Sequence, residues 1–188
     1  DRSATVNAVN PGYKAYNRLV DSNFAGPDGG KFVDEYPVET VPLSGDVDKA
    51  KEYLAAAMEE LGYSDVSQLP QLELITWDTS EQKLLLETII DQWKQNLGLE
   101  NIQLTQYVIG TAIGSFYDLS YDLFAITWET DVLPTDIMEA MVTGGEVNYG
   151  IWSDAQFDSL VEQAINELEP DKQAELTAQA EQIFLDNA

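Results

Sequence analysis

The sequence predicts an α/β fold with a mixed, mostly parallel sheet flanked by helices. Segments with strand patterns alternate with segments that have helical periodicity. The connections between successive strands are long enough to contain a helix, which favours parallel strands and right-handed crossovers. With 188 residues, of which 44% are hydrophobic, the chain is long enough for a domain with a buried core.

Residues 1–45 lack the regular pattern of the rest of the chain. Pro or Gly interrupts them every few residues, which is typical of an irregular surface segment. Aromatic and aliphatic side chains are spread through the segment and can anchor it to a core. We therefore expect an irregular entry segment at 1–45 and a single α/β domain at 46–188.

Helices and strands are predicted to alternate from Asp46 onward. Apolar residues recur with the helical period after Asp46, and Gly62 is suited to end that helix. Thr79 and Gln82 form a capping-box motif that begins a second helix, which Gly98 closes. In order, the predicted elements are a helix from Asp46 to Gly62, a strand at 72–77, a helix from Thr79 to Gly98, a strand at 102–107, a helix at 108–117 and a strand at 123–128.

Three further helices are predicted in the last third of the chain. The first is expected to begin at Pro134. Ser153 and Gln156 form another capping-box motif, which predicts that Ser153 caps the second. Pro170 suits a first helical turn and begins the third. The predicted ranges are 134–142, 153–168 and 171–187.

The composition excludes several classes of function. The chain has no His and no Cys, which excludes disulfides, zinc ribbons, thiol nucleophiles and Ser–His–Asp triads within it. Its 34 acidic and 9 basic residues give a net charge of −25, which disfavours binding to nucleic acid. No apolar run approaches the roughly 18 residues of a membrane span. We expect no catalytic residue, metal ligand or cofactor in this chain.

Five ordered segments carry a family resemblance over residues 46–185. Each segment alone is a weak signal, but their order and spacing together are specific. The segments are Asp48-Lys49-Ala50-Lys51 through Gly62; Pro70-x-Leu72-x-Leu74; Ile89-x-x-x-Trp93-x-x-x-Leu97-Gly98 followed by Ile102; Tyr121-Asp122-Leu123 with Trp128-x-x-Asp131 and Pro134; and Phe157-Asp158-x-Leu160-Val161-x-x-Ala164.

These segments resemble the solute-binding proteins of peptide ABC transporters, the oligopeptide- and dipeptide-binding type of solute-binding family 5. The resemblance implies one lobe of a periplasmic-binding-protein type II fold, with residues 1–45 entering it from the hinge. Members of this family are long enough for several domains. The chain is therefore expected to be the C-terminal lobe of a larger protein, whose two lobes capture an extended peptide between them.

The resemblance also implies partners and a location. The expected partners are a peptide ligand and the permease subunits of an ABC transporter. The protein is expected to be a monomeric lipoprotein at the extracellular face of a bacterial membrane or in the periplasm. Its membrane anchor would lie in an N-terminal region that this sequence lacks.

The predicted ligand site lies in the segment after the last strand. By resemblance, the backbone groups of Thr127 and Glu129 pair with an extended peptide, as an added strand would, and Thr130 lies between Glu129 and Asp131. The carboxylate of Asp131 is implied to accept the protonated α-amine of the peptide in a charge-assisted hydrogen bond.

Two aromatic residues and the local charge complete the predicted site. By resemblance, Trp128 and Tyr107 form walls of pockets for peptide side chains. No Lys or Arg occurs between Gln95 and Asp171, which favours a cationic ligand end. Ala125 stands where some relatives have Arg, so the peptide carboxylate is expected to find its partner in the other lobe or in solvent.

Several alternatives remain open. Asp131 can instead cap the following helix, and Trp128 and Tyr107 can be core residues. The close carboxylate pairs Asp118–Asp122 and Glu129–Asp131 are compatible with a glycosidase. Clustered Asp residues can hold a structural calcium ion, although Asp28-Gly29-Gly30 and Asp46-Val47-Asp48 lack the spacing of an EF-hand. A related protein can also bind a non-peptide solute, such as a sugar or a metal chelate.

Overall fold

The computed structural model describes residues 1–127 and 133–187. Between residues 72 and 124, strands and helices alternate as the sequence predicts. In chain order the elements are helices α1 (Arg2–Val9), α2 (Phe32–Glu35) and α3 (Val47–Leu61), a short 3-10 helix (Val66–Gln68), strand β1 (Leu72–Trp77), helix α4 (Ser80–Leu97), strand β2 (Ile102–Tyr107), helix α5 (Ile109–Tyr117), strand β3 (Leu123–Phe124), and helices α6 (Asp136–Met141), α7 (Ala155–Asn166) and α8 (Pro170–Asp186).

The chain forms two compact units, and each is built from two separate stretches of sequence. Unit 1 consists of Asp1–Tyr16 and Val41–Thr127, and unit 2 consists of Asn17–Thr40 and Trp128–Ala188. The division predicted between residues 45 and 46 stays a prediction.

Unit 1 is organised around a parallel sheet with strand order β2-β1-β3. This arrangement confirms the predicted α/β fold. Strand β1 pairs with β2 from Leu72 to Trp77, but it pairs with β3 only at Leu74 and Ile75. The carboxyl ends of the three strands therefore lie at one edge of the sheet.

The core of unit 1 is centred on β1. Leu74, Ile75 and Thr76 are buried because β1 has a neighbour on each side and α5 packs against it. Helix α4 contributes the buried Leu86, and α5 contributes the buried Phe116. Helices α1 and α3 both pack against α4.

Unit 2 is built on the packing of α7 against α8. Phe157 and Val161 of α7 and Ala180 of α8 are buried in one hydrophobic cluster with Val20 and Phe32. The stretch Asn17–Thr40 thus contributes apolar side chains to a core formed mainly by the C-terminal helices.

A buried ion pair also attaches this stretch to α8. Arg18 Nη2 lies 2.6 Å from Glu181 Oε2, and the side chains are 8% and 0% exposed. Glu181 Oε1 accepts hydrogen bonds from the backbone N–H groups of Leu19 and Val20, at 2.8 and 3.1 Å. Arg18 Nη1 donates to the carbonyl oxygen of Val33 at 2.9 Å. Both buried charges therefore have hydrogen-bond partners beyond each other.

The predicted helix ends are largely confirmed. The Thr79 hydroxyl accepts a hydrogen bond from the backbone N–H of Gln82 at 3.1 Å, so Thr79 is the N-cap of α4. Gly62 and Gly98 are left-handed C-caps with φ of 71°. Pro170 is the first residue of α8, where it leaves no internal hydrogen bond unmade.

Two predictions in unit 1 are corrected. Residues Arg2–Val9 form helix α1, which lies in the segment predicted to be irregular; Asp1 caps this helix by accepting from Ala4 N at 2.9 Å. Strand β3 ends at Phe124 instead of continuing to residue 128, because ladder pairing with β1 stops after Ile75. Trp128 itself lies outside the described residues.

Two helix starts in unit 2 are also corrected. Asp154, and not Ser153, is the N-cap of α7, because its carboxylate accepts from the N–H groups of Gln156 and Phe157. Helix α6 begins at Asp136, after a turn in which the Asp136 carboxylate accepts from Leu133 N at 2.7 Å. Within residues 1–127 and 133–187, no helix has the length and apolar character needed to cross a membrane.

Candidate functional site

The carboxyl edge of the sheet in unit 1 is the candidate site. We define it by the ends of the three parallel strands and the residues that follow them, which are 76–79, 105–108 and 125–127. In open α/β sheets, ligands bind in the crevice outside the carboxyl ends of the strands. The predicted site residues Tyr107 and Thr127 both belong to this edge.

Hydrogen bonds from backbone and side-chain groups connect the ends of β1 and β2. Trp77 and Tyr107 are partners in the parallel register, and both side chains are half-buried. The N–H of Asp78 donates to the carbonyl oxygen of Tyr107 at 2.8 Å. The side-chain amide of Gln106 donates to the carbonyl oxygen of Thr79 at 3.0 Å. The turn from β1 into α4 is therefore held against the end of β2.

A second set of hydrogen bonds holds the residues that follow β3. The N–H of Ala125 donates to the carbonyl oxygen of Ile75 at 3.1 Å, and the buried hydroxyl of Thr76 donates to the carbonyl oxygen of Ala125 at 2.7 Å. Two residues later, the side-chain amide of Gln82 donates to the hydroxyl oxygen of Thr127. After this backbone hydrogen bond at Ala125, side-chain hydrogen bonds from β1 and α4 hold the chain.

Two exposed apolar residues follow Tyr107 directly. Val108 is 67% exposed and Ile109 is 61% exposed. They provide exposed apolar surface next to the end of β2. The edge can therefore contact apolar groups of a ligand.

The structure describes two of the six predicted site residues. Tyr107 is half-buried at the end of β2, and Thr127 is exposed beyond the end of β3. Because β1 lies between these strands, the two backbones are separated by two strand spacings, about 10 Å. The other four predicted residues lie outside the described residues, and their roles stay predictions: Trp128, Glu129, Thr130 and Asp131.

The alternative carboxylate pair Asp118–Asp122 does not lie at this edge. The Asp122 carboxylate accepts from the N–H of Glu73 at 2.8 Å, at the amino end of β1. Asp118 is the C-cap residue of α5. The observed role of Asp122 is therefore to hold the entry into β3 against the start of β1. The pair Glu129–Asp131 lies outside the described residues.

Hydrogen bonds from backbone N–H groups to carboxylates hold both stretches considered for calcium. The carboxylate of Asp46 caps α3 by accepting from the N–H of Lys49 at 2.9 Å. In the Asp28-Gly29-Gly30 turn, the Glu35 carboxylate accepts from the N–H of Gly30 at 2.7 Å. In the part of the chain that the structure describes, no three His, Cys, Asp or Glu residues are grouped so that they could hold a metal ion.

Sequence reasoning did not find the roles of Gln82 and Thr76. The capping-box motif assigns the Gln82 side chain to the start of α4, whereas that side chain donates to Thr127. The sequence did contain one signal: Gln82 precedes the buried Leu86 by four residues and therefore lies on the apolar face of α4. A polar residue at such a position needs a hydrogen-bond partner.

Comparisons with known proteins relate the whole chain to one class. No protein-family model matches the chain. The oligopeptide-binding protein OppA of Bacillus subtilis (strain 168) is 30% identical over 144 residues, which are 75% of this chain and 26% of OppA. The dipeptide-binding protein DppE of the same strain is 26% identical over 176 residues, which are 93% of this chain and 31% of DppE. The chain thus spans about a quarter to a third of these relatives.

The fold agrees with that relationship. OppA of Listeria monocytogenes, solved with a bound peptide, matches this chain with a TM-score of 0.80 at 23% identity, over 98% of this chain and 34% of that one. The fold is therefore that of part of a substrate-binding protein of an ABC transporter. The chain is a homologue of the peptide-binding proteins OppA and DppE, and the resemblance carried by its sequence motifs is confirmed.

Proposed function

We propose that this chain is the C-terminal lobe of a longer substrate-binding protein that captures extended peptides for uptake by an ABC transporter. The observation that carries the proposal is the homology to OppA and DppE, which extends over most of this chain. Because the chain spans only about a quarter to a third of those relatives, a second lobe is proposed to complete the site. Capture rather than catalysis is the proposed activity.

The carboxyl edge of unit 1 supports a peptide as the ligand. Its groups are held by backbone and side-chain hydrogen bonds, as a fixed surface for an extended backbone requires. In the proposed complex, backbone groups of Thr127 and Glu129 pair with the peptide, and the carboxylate of Asp131 accepts its α-ammonium group. Trp128 and Tyr107 contact its side chains.

The proposed partners and location follow from the same class. The two lobes close on the peptide by a hinge motion, and the closed form docks on the permease subunits of the transporter. The protein is proposed to act as a monomer at the extracellular face of the membrane or in the periplasm, attached through a lipidated N-terminal region.

Native mass spectrometry of the two-lobed protein tests the proposed function. The longer polypeptide that contains this chain is purified and its mass is measured under non-denaturing conditions. We expect added masses that fragment into peptide sequences. Isothermal titration with free-amine peptides then gives the affinity. A protein that carries no peptide and binds none would contradict the proposal, and a retained sugar or metal chelate would favour the alternative ligand class.

A further inference from the structure

Gln82 occupies an unusual position for a glutamine. It lies in the first turn of α4 and is only 4% exposed. Its side-chain nitrogen donates to the Thr127 hydroxyl oxygen, while its side-chain oxygen is buried without a hydrogen-bond partner among the described residues. Burial of an unpaired amide oxygen costs free energy, so stability alone does not explain a glutamine here.

The hydrogen bond from Gln82 to Thr127 lies beyond the end of the pairing between β3 and β1. Strand β3 pairs with β1 only as far as Phe124, and Thr76 holds Ala125. Thr127 is the last described residue before the segment 128–132, and it is exposed apart from this bond. The amide of Gln82 therefore holds Thr127, the last described residue on this side of the gap.

We infer that Gln82 is a positioning residue for peptide binding, which acts by fixing Thr127 on the carboxyl edge. The inference rests on the proposed function, because Thr127 is one of the residues proposed to pair with the peptide backbone. Gln82 itself does not contact the peptide. It supplies a buried support for Thr127, and such support reduces the entropy that Thr127 loses when peptide binds.

Two single variants test the hydrogen bond between Gln82 and Thr127, one by removing the donor and the other by removing the acceptor. Gln82→Met keeps a side chain of similar length without a donor, and Thr127→Val keeps the shape of threonine without the hydroxyl. We expect each to weaken peptide binding by the two-lobed protein about five- to tenfold, the factor for one lost hydrogen bond of ordinary strength. The double variant is expected to be no weaker than either single one, and Thr127→Ser is expected to bind like the wild type.

A second Gln–Thr pair on the same helix provides a matched control. The side-chain amide of Gln92 donates to the Thr5 hydroxyl at 2.8 Å, ten positions further along α4. At 1.5 Å per residue, this is about 15 Å from Gln82. Gln92→Met and Thr5→Val are expected to change the melting temperature but not the peptide affinity. Gln82→Met is expected to change affinity with little change in melting temperature, because it also removes the unpaired oxygen.

Nuclear magnetic resonance of the 188-residue chain tests the bond without peptide. The side-chain amide protons of Gln82 are expected to exchange slowly in the wild type and faster in Thr127→Val. Fast exchange in the wild type, or unchanged affinity in both single variants of a protein that binds peptide, would overturn the positioning role. A two-lobed wild-type protein that binds no peptide would overturn the proposed function and this inference with it.

Discussion

Asp131 is the residue on which the proposed peptide recognition depends most directly. In the two-lobed protein, Asp131→Asn removes the negative charge but keeps the size of the side chain. We expect free-amine peptides to bind about 1.5 to 3 kcal/mol more weakly, the range for a hydrogen bond to a charged group. Calorimetric titration with a matched N-acetylated peptide is the control, since that peptide has no ammonium group. Equal losses for both peptides would show that Asp131 has a structural role.

Glu181 is a fully buried acidic residue of unit 2 that is paired with Arg18. Glu181→Gln leaves Arg18 buried without a counterion. We therefore expect the free energy of unfolding to fall by about 3 to 5 kcal/mol. The exposed pair Lys83–Glu87, at 3.8 Å, provides the comparison. Glu87→Gln is expected to cost less than about 0.5 kcal/mol. Urea unfolding of both variants gives the two values, and similar small losses would show that the buried pair contributes little.

At the scale of elements, local sequence rules predicted several features that depend on neighbouring residues, although they misplaced the starts of α6 and α7. The N-cap Thr79, the C-caps Gly62 and Gly98, and Pro170 all act within one helical turn of their own positions. The contact between Arg18 and Glu181 was not predictable in this way, because 163 residues separate them in sequence. The length of β3 likewise depends on where pairing with β1 stops, which its own sequence does not specify.

The candidate site was predictable only in part, for a related reason. The strand pattern places Tyr107 at the end of a strand, as the structure has it, whereas the ligand roles of Tyr107 and Thr127 stay predictions. Gln82 was assigned to a local cap, whereas its partner Thr127 lies 45 residues away. A periodicity argument can show that Gln82 faces the interior, but it cannot identify a partner from another element.

The turn between α7 and α8 contains Glu167, a carboxylate whose pKa is lowered by its hydrogen bonds. The hydrogen bond from Lys172, together with the N–H groups of Glu169 and Leu168, lowers the pKa of Glu167 from 4.5 to about 2. A lowered carboxyl pKa stabilises the fold above pH 4.5, and this contribution is lost as pH falls towards 2. Glu167→Gln is therefore expected to lower the melting temperature at pH 7 but not at pH 2.

Glu162→Gln is the matched control for this prediction. Glu162 is an exposed residue of α7, and its replacement removes the same charge. Calorimetric melting of both variants between pH 2 and 7 separates the effect of the turn from that of net charge. Parallel pH profiles for the two variants would contradict a stabilising role for the Glu167–Lys172 pair.

At the scale of the whole molecule, the net charge of −25 is expected to destabilise the compact state by self-repulsion. The Debye length falls from ~30 Å at 0.01 M salt to ~3 Å at 1 M, so added NaCl screens this repulsion. We therefore expect the melting temperature to rise with NaCl, most steeply at low salt. A variant with Glu52, Glu59 and Glu60 of α3 changed to Gln should show a shallower rise, and an equal rise would assign the effect to something other than charge.

The proposed division of the ligand site between two lobes makes a prediction about this chain alone. An extended peptide at the carboxyl edge of unit 1 would be covered on one side only, so little of its surface would leave water. Association also costs translational and rotational freedom, which a half-site offsets poorly. We expect titration of these 188 residues with peptide to show a Kd weaker than about 1 mM, whereas the two-lobed protein binds measurably. Micromolar binding by this chain alone would show that one lobe is a complete receptor, and the second lobe would then need another role.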